Sequence, residues 1–172
     1  MPNSSESGSH DNISKAPKNF RGAIISEKNG KIQADCKKLK GQEINFPDRS
    51  VGATEQALLA AVLAEGETVL RNCAREPEIT WLCRFLQKMG ARICHEKEGC
   101  IRVQGVTSLH GTEMLIPADR IVTGTYLCAA AASRGSVTVE NAPEGEMEAF
   151  LEVYRKMGGQ YEWKSGKLIA NG

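Results

Sequence analysis

The chain has 172 residues, long enough to bury a core, with 41% apolar and 25% charged residues, an ordinary globular balance. A formal net charge of +1 gives no electrostatic basis for binding nucleic acid or a charged membrane surface, and no apolar run is long enough to span a bilayer. Met1-Pro2-Asn3-Ser4-Ser5 has none of the character of a signal peptide, so the cytoplasm is the expected compartment.

Residues 1–19 are rich in Ser, Asn, Lys and Gly, and Ile13 is their only large aliphatic after Met1, so they read as a flexible lead with an incidental His10. Gly22–Asp35 reads as a pair of strands and Gln42–Phe46 as another strand. A turn is expected at Ser50–Thr54, then a helix over Thr54–Ala64 that Glu65-Gly66 ends, because glycine takes the left-handed conformation beyond a helix freely. The β-branched run at Thr68 opens a strand to Cys73. Arg75-Glu76-Pro77-Glu78 suits the start of a second helix: proline loses no hydrogen bond in the first turn, and acidic groups meet the positive end. That helix, Glu78–Met89, would put Ile79, Leu82, Phe85, Leu86 and Met89 on one face. Strands Arg92–Glu96 and Cys100–Val103, joined by a hairpin at Glu98-Gly99, complete a β-α-β-α-β-β pattern.

The chain then repeats itself at an offset of 68 to 70 residues. Leu39-Lys40-Gly41 recurs as Leu109-His110-Gly111, Ala64-Glu65-Gly66 as Ser133-Arg134-Gly135, and Lys88-Met89-Gly90 as Lys156-Met157-Gly158. A fixed period with matching turn residues marks a repeated supersecondary unit. The second copy runs from Gly111, with helices expected at Asp119–Ser133 and about Glu144–Met157, the latter aligning Met147, Leu151, Tyr154 and Met157. The fold class is therefore α/β (α+β): two β-α-β-α-β-β units plus the terminal strand pair of a third.

The turn at Ser50 has two readings. Backbone N–H groups left unpaired at a helix start, beside a serine hydroxyl, can hold a phosphate oxygen; equally, Ser50 or Thr54 can serve only as a helix cap. Arg75-Glu76 and Asp119-Arg120 are charged pairs at turns, and as exposed ion pairs they would carry little energy. The six cysteines (Cys36, Cys73, Cys83, Cys94, Cys100, Cys128) form no Cys-x-x-Cys pair, and no histidine lies at metal spacing from two of them. All read as reduced and structural, with Cys73, Cys83 and Cys128 acting as small hydrophobes. His95 and His110 read as surface residues, and no catalytic residue or metal site is assigned.

Three blocks carry a family likeness: Ser50-Val51-Gly52-Ala53-Thr54-Glu55, Asn72-Cys73-Ala74-Arg75-Glu76-Pro77-Glu78-Ile79, and Pro117-Ala118-Asp119-Arg120-Ile121-Val122-Thr123-Gly124-Thr125-Tyr126. They resemble the enolpyruvyl transferase family, in the branch of the UDP-N-acetylglucosamine 1-carboxyvinyltransferases of bacterial cell-wall synthesis. The resemblance implies an inside-out α/β barrel of repeated units in two halves, with substrates in the cleft between. It implies transfer of the enolpyruvyl group of phosphoenolpyruvate to the 3′-hydroxyl of UDP-N-acetylglucosamine, with loss of phosphate and without metal or organic cofactor. It places residues 20–118 at the end of the first half and 119–172 at the start of the second. The uridine-nucleotide contact maps onto Asp48, Arg49, Ser50, Val51 and Gly52, where Gly52 would let the backbone approach closely. Arg75, Glu76, Asp119 and Arg120 map towards the cleft and hinge.

The chain also departs from the family. Asp48-Arg49 stands where the family has a lysine or an apolar residue before the Ser-Val pair, and an aspartate there would repel a diphosphate unless Arg49 took its place. The family's general acid, a loop cysteine followed by an arginine, has no match: Cys36 lies in Ala34-Asp35-Cys36-Lys37-Lys38. The lysine–asparagine pair that holds phosphoenolpyruvate has no counterpart, and Ser9-His10-Asp11-Asn12-Ile13-Ser14 replaces the usual Arg-Pro-x-Asp-Leu-His. The expectation is a partial chain, inactive alone, carrying one wall of the nucleotide site and prone to self-association or to pairing with a completing chain. The alternative is a non-catalytic nucleotide-binding or interaction module.

Overall fold

The computed structural model describes residues 21–96 and 99–172, so the lead at residues 1–19 and Glu98 of the expected hairpin lie outside the described residues. The chain falls into two compact units divided between Met114 and Leu115.

The first unit opens with β1 (Arg21–Lys28) and β2 (Lys31–Lys40), an antiparallel pair. Asn29 (φ 55°) and Gly30 (φ 70°) are both left-handed, the two-residue turn whose twist matches that of the strands it joins. Then come β3 (Glu43–Asn45), α1 (Val51–Ala61), β4 (Glu67–Arg71), α2 (Pro77–Lys88), β5 (Arg92–Glu96) and β6 (Cys100–Gln104). They form one sheet in the order β3-β4-β6-β5, with β3 parallel to β4 across the α1 crossover and the other pairs antiparallel. Ala57, Leu58 and Ala61 of α1 are fully buried, and small residues let the helix lie close over the sheet residues Leu70, Ile101 and Val103.

Helix α1 starts at Val51, not Thr54, because Ser50 is its extended N-cap (φ −132°, ψ 124°) and the expected turn is already the first helical turn. It ends at Ala61, not Ala64: Ala64 N–H tightens onto Ala61 O (3.1 Å), and Glu65 leaves to bond the end of β2 through Leu39 O (2.8 Å) and Gly41 N–H (2.7 Å). Gly66 is left-handed (φ 85°), but it turns the chain into β4 rather than capping the helix. In α2, Ile79, Cys83 and Leu86 face the core, while Leu82, Phe85 and Met89 are half-buried at its margin.

The second unit contains α3 (Arg120–Ser133), β7 (Ser136–Glu140), a 3₁₀ turn (Glu144–Glu146), α4 (Glu148–Lys156), β8 (Gln160–Lys164) and β9 (Lys167–Asn171), with sheet order β7-β9-β8. Its backbone repeats that of the first. Asn72 (φ 57°) is answered by Asn141 (φ 55°), and Gly90 by Gly158, both at φ 99°. Gly105 N–H donates to Gly66 O and Gly172 N–H to Gly135 O, each at 2.9 Å. Leu58 and Leu127 are the fully buried anchors of α1 and α3.

Two expectations fail here. The segment that would repeat β3, from Gly111 to Ile116, is not a strand. His110 N–H donates to Met89 O (3.0 Å) and Lys88 Nζ to Glu113 O (3.3 Å), which ties its beginning to the end of α2. The expected helix Glu144–Met157 is a 3₁₀ turn and a shorter α4 that meet at Met147; Met147, Leu151 and Tyr154 enter the core as aligned, but α4 ends at Lys156 and Met157 is 82% exposed.

Thr68 in β4 is fully buried and its hydroxyl has no partner among the described residues, whereas the corresponding place in β7 is Val137. An orphaned buried hydroxyl costs about 1–3 kcal/mol. Thr68→Val should therefore stabilise the first unit by about 1 kcal/mol, read as a higher urea midpoint with unchanged slope.

Candidate functional site

The sequence readings converge where the start of α1 meets the loop after β4. Ser50 Oγ accepts from Ala53 N–H (3.3 Å) and Ser50 O accepts from Thr54 N–H (3.0 Å), which begins the helix. The N–H groups of Val51 and Gly52 stand in the first turn, where a helix offers no internal acceptor. A Cβ on Gly52 would meet nothing within 4 Å, so nothing in the fold itself requires glycine there.

Thr54 joins this turn to the loop. It is fully buried, and its hydroxyl donates to Ser50 O (2.8 Å) while accepting the buried N–H of Ala74 (3.1 Å). Asn72 makes a second tie: its Nδ2 donates to Phe46 O (2.9 Å) and its Oδ1 accepts from Arg49 Nε (3.4 Å). Asparagine tolerates the left-handed conformation Asn72 adopts, which lets the loop turn sharply after β4. Asp48 is exposed beside Arg49. Arg75 runs over the end of the β5–β6 hairpin, where a Cβ on Gly99 would lie 3.1 Å from its Nε. Its backbone N–H is taken by Glu76 Oε2 (2.8 Å), one residue before Pro77 opens α2.

The structure thus brings Asp48, Arg49, Ser50, Val51 and Gly52 together with Arg75 and Glu76 in the first unit. Asp119 and Arg120 belong to the second unit, where Asp119 caps α3 through Ile121 N–H (2.7 Å) and Val122 N–H (3.0 Å), the part Ser50 plays in α1. Arg120 lines a cavity beside Glu146 and Phe150. Sequence reasoning missed Thr54 as a link between blocks and Asn72 as the partner of Arg49. A signal for Asn72 existed in its recurrence at Asn141.

All six cysteines are free; Cys73, Cys83 and Cys100 are buried, but Cys128, expected as a small core hydrophobe, is exposed on α3 beside an open groove. Burial, with a smaller contribution from Cys100, pushes the Cys73 thiol from 9.0 up to about 12, and burial pushes Cys83 to about 11. These thiols hold their protons in the folded chain but lose them near pH 9 when it unfolds, so the unfolded state binds fewer protons between those values. Stability should be unaffected by these groups below pH 9 and fall as pH rises towards 12, while a thiol reagent at neutral pH labels Cys36, Cys94 and Cys128 first. At the surface, ion pairs with Lys38 and Lys167 hold the Glu65 and Glu140 carboxyls below the usual range. No group of three or more metal-ligating side chains occurs among the described residues, and no helix among them is long and apolar enough to cross a membrane.

The family model described as EPSP synthase (3-phosphoshikimate 1-carboxyvinyltransferase) matches residues 19–172. The chain belongs to the EPSP synthase family. Within this family of enolpyruvyl transferases, it is 42% identical over 149 residues to the UDP-N-acetylglucosamine 1-carboxyvinyltransferase of Desulfovibrio desulfuricans, an alignment covering 87% of this chain and 36% of that one. It is 47% identical over 137 residues to UDP-N-acetylglucosamine 1-carboxyvinyltransferase 2 of Caldanaerobacter subterraneus subsp. tengcongensis, covering 80% of this chain and 33% of that one. The chain spans about a third of the length of these curated relatives. Among solved structures it is similar in fold to the enolpyruvyl transferase NikO from Streptomyces tendae, with a TM-score of 0.76 at 17% identity, covering 94% of this chain and 41% of that one. EPSP synthase from Acinetobacter baumannii gives a TM-score of 0.61 at 24% identity, covering 94% and 38%.

Proposed function

We propose that this chain forms one wall of the nucleotide site of a UDP-N-acetylglucosamine 1-carboxyvinyltransferase and is inactive alone. The observation that carries the reading is the joined pair of blocks: the Ser50 turn and the Asn72–Arg75 loop, locked together through Thr54 and Asn72, in a chain 42–47% identical to relatives of that name. In this reading the N–H groups of Val51 and Gly52, with Ser50 and the cation of Arg49, receive the diphosphate of the sugar nucleotide. Arg49 also offsets the repulsion that Asp48 would exert. Arg75, Glu76, Asp119 and Arg120 face the cleft and hinge of an inside-out α/β barrel built from repeated β-α-β-α-β-β units. The reaction transfers the enolpyruvyl group of phosphoenolpyruvate to the sugar nucleotide in peptidoglycan synthesis, in the cytoplasm, without metal or organic cofactor. That chemistry also needs a proton donor and a clamp for the phosphate of phosphoenolpyruvate, which the described residues do not offer at this turn; the remainder of the cleft would supply them.

One observation favours a non-catalytic module instead: the Ser50 oxygen already accepts the N–H of Ala53, with the Asp48 carboxylate close by in sequence. Calorimetric titration with UDP-N-acetylglucosamine decides between binding and a relic. Saturable binding is expected, and it should vanish in a Ser50→Ala, Gly52→Val double variant whose circular dichroism matches the parent. No heat from the folded parent chain sinks the nucleotide reading.

A further inference from the structure

We infer that Asn72 is a positioning residue that aims Arg49 at the second phosphate of a nucleoside diphosphate, so that the pair sets a preference for diphosphates over monophosphates. The inference rests on the nucleotide reading of the Ser50 turn and adds to it the group that tells two phosphates from one. Asn72 spans the loop from β3 to α1: its Nδ2 donates to Phe46 O at 2.9 Å and its Oδ1 accepts from Arg49 Nε at 3.4 Å. Phe46 is a fixed anchor, 5% exposed and with its own N–H on Arg71 O (3.1 Å). An amide whose nitrogen is committed to that carbonyl must turn its oxygen towards the arginine. Arg49 itself is exposed, and its two terminal nitrogens have no partner among the described residues.

Two comparisons within the chain separate this role from that of a plain turn residue. Asn141 repeats Asn72 in the second unit, at φ 55° against 57°, yet its side chain is exposed and makes no such ties among the described residues. Ala118 precedes the cap Asp119 where Arg49 precedes the cap Ser50, so the turn forms without the clasp and the clasp goes with the cation. The second comparison is with Arg71 and Arg102, whose charges are met by the carboxylates of Glu43 and Glu67. Arg49 is held instead by a neutral amide, which orients the guanidinium without cancelling its charge, and Asp48 forms no ion pair with it among the described residues. A guanidinium with both terminal nitrogens open presents a fork that fits phosphate oxygens. The Val51 and Gly52 N–H groups receive one phosphate at the helix start. A cation one residue before the cap then meets the neighbouring phosphate, which a monophosphate lacks.

Calorimetric titration with UDP and with UMP tests the pair, in the full chain and in Arg49→Gln, Asn72→Gly and the double variant. The parent should favour UDP over UMP by about tenfold or more, and Arg49→Gln should bring the two towards parity. Asn72→Gly keeps the left-handed backbone and should weaken UDP about tenfold while leaving UMP nearly unchanged. Added to Arg49→Gln it should weaken UDP no further, because it acts through that side chain. Asn141→Gly, the same change at the matching turn, should leave both affinities alone. Equal losses for UDP and UMP, or a further loss when Asn72→Gly is added to Arg49→Gln, would overturn the inference and leave the nucleotide reading standing, since Asn72 would then hold the turn alone. An Arg49→Gln chain that keeps the parent's preference for UDP overturns it as well, whether or not Asn72→Gly folds. A folded parent that binds neither nucleotide overturns both the inference and the reading beneath it.

Discussion

Gly105→Ala should unfold the first unit under conditions where the parent chain is stable. Gly105 follows β6 and its N–H donates to Gly66 O at 2.9 Å, which draws its Cα against the loop between α1 and β4. A Cβ there would lie 1.6 Å from Ala64 O and 3.2 Å from Gly66 O, and both obstacles are backbone. Backbone cannot rotate aside as a side chain does, so either the hydrogen bond or the close of α1 must give way. Overpacking a core costs about 1–3 kcal/mol and more when backbone must move, so a loss of about 3 kcal/mol or more is expected. Urea unfolding followed by circular dichroism measures it. Gly111→Ala is the control, since a Cβ there meets nothing within 4 Å and the midpoint should scarcely move. Equal midpoints for both variants would refute this account of the junction.

The same junction shows what the sequence made legible. Gly66 and Gly135, Gly90 and Gly158, and Asn29-Gly30 were readable because turns need particular backbone conformations, which few residues supply cheaply. Their recurrence gave the repeat, and the structure sets Gly90 and Gly158 at the same φ and Asn29-Gly30 close to Ser165-Gly166. Gly66, by contrast, is left-handed, whereas the left-handed residue of the second copy is Arg134, one before Gly135. Helix ends were harder. Ser50-Val51-Gly52 reads as a turn because glycine and β-branched residues are weak helix formers, yet capping by Ser50 and burial of Ala53 and Thr54 outweigh that propensity. Met157 misled the periodicity because α4 ends at Lys156, which leaves Met157 at the C-cap, past the face that carries Met147, Leu151 and Tyr154 into the core. The Gly111–Ile116 segment does not repeat β3, and its beginning is held instead by the His110 N–H donating to Met89 O and by Lys88 Nζ donating to Glu113 O, which no local pattern discloses. The anion-facing character of the Ser50 turn was legible only as one of two readings; family likeness, not composition or spacing, favoured it.

Thr54→Val should cost about 2–3 kcal/mol although it preserves volume and shape. The hydroxyl it removes donates to Ser50 O at 2.8 Å and receives the N–H of Ala74 at 3.1 Å, and both residues that meet there, Thr54 and Ala74, are almost wholly buried. Water cannot take over, so the Ala74 N–H would be left without an acceptor. Thr54→Ser keeps the oxygen and loses one methyl, and should cost about 1 kcal/mol. Thr123 in α3 makes only the first of these bonds among the described residues, donating to Asp119 O at 2.9 Å, so Thr123→Val should cost less than Thr54→Val. Hydrogen exchange locates the effect: the Ala74 amide should lose protection before the amides of β4 do. The functional consequence follows from the same bond. Ala74 lies between Asn72, which holds Arg49, and Arg75, so freeing it loosens both cations of the proposed nucleotide wall. Binding of UDP-N-acetylglucosamine should therefore weaken in Thr54→Val well beyond any change in Thr54→Ser. If both variants bind alike while differing in stability, Thr54 supports the fold alone, and the two blocks are joined for stability rather than for a ligand.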